Sequence, residues 1–216
     1  MTTVAELLRA ANISHCGVAQ WRQPIPEQRP GVYVVATTQD PASSQPAHIE
    51  CPLSQEAVAQ LLAVRPELRL DGNRPTAADL TRRLAAMWAP DEPVVYVGLA
   101  GTSLSKRIGQ YYGTPLGARR PHAGGWPLKT LSILDRLWVH WAPTDNPSRA
   151  ELALLDAFIT GLPARIRQRL HGPVLPLPFA NLERTKRDRK RHGITGAREP
   201  AALSIRDRRH LRSSPQ

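Results

Sequence analysis

Two short apolar runs rich in β-branched residues constrain this chain more than any other feature. Gly31 to Thr37 and Val94 to Leu99 each have the length and composition of a buried strand. Each carries a tyrosine: Tyr33 in Gly31-Val32-Tyr33, and Tyr96 in Tyr96-Val97-Gly98. The remaining two tyrosines, Tyr111 and Tyr112, follow in one short stretch. Between the runs, Asp40 to Pro52 is rich in Pro, Ser and Ala and reads as a surface excursion. Ser54 to Val64 then sets Ala57, Val58, Leu61 and Leu62 at helical spacing behind Ser54 as N-cap. Thr76 to Trp88 repeats the pattern with Leu80, Leu84, Met87 and Trp88, and Pro90 and Pro93 end it. The reading is a hairpin opened by a two-helix insertion over 38–92. Loop closure costs grow only as about 1.5RT ln n, so adjacent strands tolerate such an excursion.

The rest of the chain supplies the frame. Residues 3–11 read as a short amphipathic helix, and 22–30, with Pro24, Pro26 and Pro30, as an extended lead-in. Gly101-Thr102-Ser103 makes a turn and N-cap, with a helix to about Tyr112. Leu131 to Trp141, where Leu137, Val139 and Trp141 alternate with Trp138 and His140, reads as a third strand. Pro147-Ser148 opens a helix to about Gly161, with Leu152, Leu155, Phe158 and Ile159 as its core face. Pro163 breaks it, a short basic helix follows from Ala164 to Leu170, and 171–182 is Pro-rich and extended. The expected fold is α+β: a small antiparallel sheet of about three strands flanked by helices. Residues 1–30 precede the domain at 31–182, and 183–216 form a basic, flexible extension.

Charge is distributed unevenly. The chain carries a net +11. Residues 1–93 hold 8 basic and 10 acidic side chains, 94–182 hold 10 and 4, and 183–216 hold 11 and 4. Positive charge thus begins where the second tyrosine motif begins. A one-sided basic field favours a polyanion, nucleic acid before membrane surface. The apolar runs fall far short of a membrane span, and Met1-Thr2-Thr3-Val4-Ala5-Glu6 lacks the start of a signal peptide. Cys16 and Cys51 have no metal-site spacing. A reducing, cytoplasmic setting is the expectation.

In order, strand, strand, Arg-bearing helix, strand and Glu-bearing helix, the motif resembles the GIY-YIG nuclease superfamily. Gly31-Val32-Tyr33 and Tyr96-Val97-Gly98 stand where that family has its two tripeptides. Arg107 matches its helix arginine, Tyr111 the Tyr or His one turn later, and Glu151 its metal-binding carboxylate. Pro178-Phe179-Ala180-Asn181 is similar to its late P-x-x-N element, which adds Asn181. The resemblance covers roughly 31–37 and 94–182. It departs in spacing: 62 residues lie between Tyr33 and Tyr96, far more than in the family, and the gap from Glu151 to Asn181 is also longer. The resemblance implies a Mg²⁺-dependent (or Mn²⁺-dependent) DNA endonuclease. Tyr33 would act as general base, Tyr96 would position the water or hydrogen-bond the phosphate, and Arg107 would hold two phosphate oxygens in its planar fork. Tyr111 shares the face of Arg107 at i, i+4, and Glu151 would bind the metal.

Each residue also has a plain structural explanation. Tyr33 and Tyr96 suit a sheet on their own. Ser148-Arg149-Ala150-Glu151 is an S-x-x-E capping box, Asp156 is a fallback carboxylate, and Asn181 suits a turn. His140 reads as a sheet-face histidine, and His15 with Cys16 as a solvent-facing or packed pair. Lys106, Arg119, Arg120, His122, Arg184, Lys186, Arg187, Arg189, Lys190 and Arg191 are the expected nucleic-acid contacts. A non-catalytic nucleic-acid-binding module on the same fold is the alternative to a nuclease. RNA is not excluded as the partner, and a homodimer follows if both strands of a duplex are cut.

Overall fold

The computed structural model describes residues 2–45, 48–122 and 124–198. In chain order the elements are α1 (Val4–Ala10), β1 (Gly17–Gln20), β2 (Gly31–Ala36), α2 (Gln55–Val64), β3 (Arg69–Leu70) and α3 (Ala77–Ala85). They continue as β4 (Val94–Ala100), α4 (Leu104–Gly113), β5 (Trp138–Pro143), α5 (Pro147–Gly161), α6 (Ala164–Arg167) and β6 (Ile194–Thr195). The architecture is α+β, with a four-stranded antiparallel sheet in the order β1-β5-β2-β4 and a small β3-β6 ladder beside it. The sheet therefore has one strand more than the three expected. The extra strand, β1, lies inside 1–30 and is too short and weakly patterned to declare itself. Its pairing with β5 makes it a strand, a tertiary effect that outweighs local propensity.

Helix ends follow local chemistry. Thr3 and Glu6 form a capping box on α1, Thr76 and Asp79 one on α3, while Ser54 and Ser103 cap α2 and α4. The third strand begins at Trp138 rather than Leu131. Upstream of it, Trp126–Thr130 and Leu134–Arg136 form 3₁₀ turns. Their buried Leu128, Leu131, Ile133 and Leu137 plug the core from irregular backbone, so the alternation there reports burial and not a ladder.

Both faces of the sheet are covered. Val32, Val34, Ala36, Val94, Val97 and Ala142 pack against α1 and α5, through Leu7, Leu154 and Phe158 among others. Tyr33, Val35, Val95, Tyr96, Val139 and Trp141 face the opposite core, built from α2, α3, α4 and the 3₁₀ turns. Each fully buried Leu or Val contributes about 1.5–3 kcal/mol by leaving water. A bulge lets Val94 and Val97 share a face although they are three positions apart. The β2–β4 register pairs Val35 with Tyr96 and Ala36 with Val94, which leaves Val95 as the extra residue. The inserted segment leaves β2 and returns to β4 at this point, and α2 and α3 pack on the tyrosine side. Among the described residues, no helix is long and apolar enough to cross a membrane.

The basic extension is not loose where it is described. Lys190 is buried, β6 pairs with β3, and Arg83 bridges to Asp71 and the carbonyl of His192. Residues 199–216 lie outside the described residues, and with them the expectation of a flexible tail there.

Candidate active site

β4 is an edge strand, and its outer edge needs partners for its backbone groups. The segment 178–181 supplies them. Ala180 donates its N–H to the Val95 carbonyl at 2.9 Å. The Asn181 amide takes the Val97 N–H on Oδ1 and donates Nδ2–H to the Val97 carbonyl, each at 2.9 Å. Asn181 thus behaves as a strand residue made from a side chain. Lys190 fixes the same segment from below, its Nζ donating to the carbonyls of Leu177, Pro178 and Phe179 at 2.9–3.2 Å.

Along this edge lies a cleft of about 610 Å³. α4 covers one face of the sheet and α5 the other, so Arg107 and Glu151 reach it from opposite sides of β4. Tyr96, Arg107, Glu151, Asn181, Glu183 and Lys186 all line it. Among the described residues, the Arg107 guanidinium has no hydrogen bond or ion pair. Glu151 is pushed up to about 7, first by burial, with Arg107 opposing and Glu183 adding to the rise. The capping-box explanation of Glu151 does not hold. The N-cap of α5 is Asn146, which accepts from the Arg149 N–H, and Pro147 is the first helical residue. Asp156 faces elsewhere and is clasped by Arg184 at 2.6 and 2.9 Å.

Tyr33 stands behind this cleft, not in it, at 1% exposure against 7% for Tyr96. The two rings are 5.9 Å apart, and Tyr96 lies 5.3 Å from Tyr111. Gly98 makes this possible. It is the cross-strand partner of Tyr33, and a Cβ there would come within 2.6 Å of the Tyr33 ring. The Tyr33 hydroxyl meets Nε2 of His122 at 2.9 Å, and Nδ1 of His122 meets the Gly124 carbonyl at 3.2 Å. A carbonyl only accepts, so the proton sits on Nδ1 and Nε2 accepts from Tyr33. The Tyr33 hydroxyl thus points inward to His122, with the Tyr96 ring beside it on the cleft side. His122 stays neutral: burial first, then Arg107, holds it down at about 3. Its buried place overturns its reading as a DNA contact in an open loop.

Tyr111 is likewise turned inward. Its hydroxyl donates to the Gly125 carbonyl at 2.6 Å and its ring stacks on His122 at 4.1 Å. Gly125, at φ 61°, has no room for a Cβ beside that hydroxyl. Tyr111 therefore reaches no phosphate in the cleft, because the face it shares with Arg107 curves into the core. Burial raises Tyr33, Tyr96 and Tyr111 above the ordinary phenol value near 10. For Tyr33 the neighbouring phenols add to the rise; for Tyr96, Glu151 adds and Arg107 opposes.

The basic residues divide. Lys106, Arg120, Lys186, Arg187 and Arg191 are exposed, and Arg119 is half-buried. Arg184 is spent on Asp156 and Asp188, Arg189 pairs with Glu183 at 3.5 Å, and Lys190 is buried, so Lys190 is no backbone contact. His140 donates to or accepts from His15 and meets the Thr38 carbonyl at 2.9 Å, inside the sheet. Sequence reasoning missed Glu183, although it lies two positions beyond Asn181 on the segment that forms the cleft wall. It also missed the inward role of His122, for which the sequence carries no signal. No group of three or more His, Cys, Asp or Glu converges among the described residues. Compared with protein-family models, curated proteins and solved structures, the chain matches none significantly.

Proposed function

We propose that this protein is a divalent-metal-dependent endonuclease of the GIY-YIG type, hydrolysing phosphodiester bonds of DNA. The observation that carries the reading is the meeting of Tyr96, Arg107 and Glu151 in one cleft from three separate elements, with no ion pair on Arg107 among the described residues. An arginine without a partner beside a buried carboxyl is poised for an anion, and its fork suits two phosphate oxygens. The chain's positive charge supports a polyanionic substrate.

Mg²⁺ or Mn²⁺ suits the cleft's oxygen donors. Glu151 is held up near 7, chiefly by burial, so a cation beside it would favour its ionised form. Glu151 would hold it with Glu183 at its side, water completing the shell. When bound, it lowers the pKa of a water and offsets charge on the phosphoryl oxygens. The chain's own groups do the rest. Arg107 grips the phosphate. Tyr96, the phenol that lines the cleft, would orient the attacking water through its hydroxyl. The base role expected of Tyr33 passes away from it, because a buried phenol raised above 10 stays protonated and does not meet the substrate. Lys186, exposed and lining the cleft, adds positive charge for the phosphate backbone.

The phenols' protonation also favours a second reading, a module that binds nucleic acid without cutting it. The two separate in a Mg²⁺ cleavage panel over single-stranded, duplex and branched DNA. Wild type should cut at least one substrate, and Arg107→Ala and Glu151→Ala should each lose at least a hundredfold in rate while still binding. Binding without cleavage by wild type, over all substrates and both metals, would leave the module.

A further inference from the structure

The Tyr96 ring is seated among three glycines. A Cβ at Gly98 would come within 2.8 Å of one ring edge, and a Cβ at Gly125 within 2.9 Å of the other. A Cβ at Gly124 would come within 2.9 Å of the hydroxyl itself. The ring therefore has backbone against both edges and its tip, with no room for a side chain at any of the three positions. Gly98 is placed by its own strand, β4. Gly124 and Gly125 lie in the connection between α4 and the Trp126–Thr130 turn, where no ladder fixes the backbone.

Buried side chains fix it instead. Nδ1–H of His122 holds the Gly124 carbonyl at 3.2 Å, and the Tyr111 hydroxyl holds the Gly125 carbonyl at 2.6 Å. His122 is itself anchored. Its backbone N–H donates to Thr114 Oγ1 at 3.0 Å, and that hydroxyl donates to the Gln110 carbonyl at 2.7 Å. Lys129 closes the arrangement by donating to the carbonyls of Tyr111 and Thr114. The His122 and Tyr111 rings stack almost parallel, at 4.1 Å and 8°, so displacing one disturbs the other. Both stand behind the wall, whereas Tyr96, Gly124 and Gly125 line the cleft.

We propose that His122 and Tyr111 are positioning residues, which hold Gly124 and Gly125 against Tyr96 and so fix the angle at which its hydroxyl meets the attacking water. The consequence for the reaction rests on the nuclease reading; the seat itself does not. A reacting group works only where packing and hydrogen bonds behind it lock its attitude. Displacing it by about 1 Å costs up to about a hundredfold in rate.

The test separates the two side-chain bonds of His122. Asn places an amide N–H near the position of Nδ1 and keeps a donor for Gly124. Gln places a carbonyl near the position of Nε2 and keeps an acceptor for Tyr33 instead. In single-turnover cleavage with Mg²⁺, His122→Gln should lose about tenfold more rate than His122→Asn. Gly124→Ala and Tyr111→Phe should each lose about tenfold, with DNA affinity in EDTA changed by less than about twofold. NMR of the full chain, with tyrosine isotope-labelled at Cζ, reads the seat without cleavage: His122→Gln should move the Tyr96 signal further than His122→Asn does. Thermal melts establish that each variant folds, and Gly124→Ala and Tyr111→Phe carry the test if a His122 variant does not. A larger Tyr96 shift in His122→Asn than in His122→Gln, or cleavage by Gly124→Ala at the wild-type rate, overturns the proposal. A wild type that cuts nothing removes the nuclease reading, and the order of the Tyr96 shifts then decides the seat alone.

Discussion

A carboxyl held at about 7 inside a folded protein has a cost that depends on pH. Glu151 has an ordinary value of 4.5 and is raised in the fold, chiefly by burial. A raised group contributes its stability fully below its unfolded value and loses it as pH rises through the folded one. Wild type should therefore lose roughly 3 kcal/mol between pH 4.5 and 7 on this account. Glu92 is also raised by burial and works in the same direction, so the difference between wild type and Glu151→Gln isolates the Glu151 share. Urea unfolding in EDTA at pH 5 and pH 8 measures it, and equal pH losses in both proteins would show that Glu151 carries no such burden. At this scale, sequence found more positions than roles. Tyr96, Arg107 and Glu151 were legible only through the resemblance of their motifs, and they line one cleft. Tyr33 and Tyr111 were legible as a pair of motif residues, but nothing in a linear pattern says which side of Gly98 a ring lies on. His122 lies far from Tyr33 in sequence and reaches it only through tertiary packing, so its partner was invisible.

Elements explain Asn181. An edge strand with a buried outer side needs something to take its N–H and C=O, and one amide does both for Val97. Asn181→Ala should lower stability by roughly 2 kcal/mol or more, since two buried backbone groups lose their partners. Asn181→Asp keeps the acceptor and loses the donor, so its loss should fall between. The midpoint of urea unfolding reads both, and an unchanged midpoint in Asn181→Ala would mean that water replaces the amide at no cost. Helices were the readily legible elements, since Thr3, Ser54, Thr76 and Ser103 announce their starts. Strands were legible where both faces are buried, as in β2 and β4. β1 and the true start of β5 were not, because their pairing partner decides them and not their own residues.

For the whole molecule, the insertion and the basic extension form one structural unit. Arg83, at 17% side-chain exposure, joins them through Asp71 and His192. Arg83→Ala should loosen the strip 192–198 without unfolding the sheet. Hydrogen exchange at the Asp71 amide, which donates to the Gly193 carbonyl, should speed up about tenfold. Amides in β2 should keep their protection, and uniform acceleration across both would mean that Arg83 supports global stability instead. The charge asymmetry was plain in the sequence, whereas the fastening of its basic end to an acidic first half was not. The strand order carries a last consequence, in time and not in space. Gly17 pairs with Trp141, Val32 with Ala142, and Ala36 with Val94. No ladder of the main sheet joins strands linked by a short turn, so none can zip up from a local nucleus. The sheet must wait for the chain to find itself across long loops, which places this protein among slow folders of high contact order. Until β5 slots in between β1 and β2, the strand that carries Tyr33 keeps one edge open to strangers.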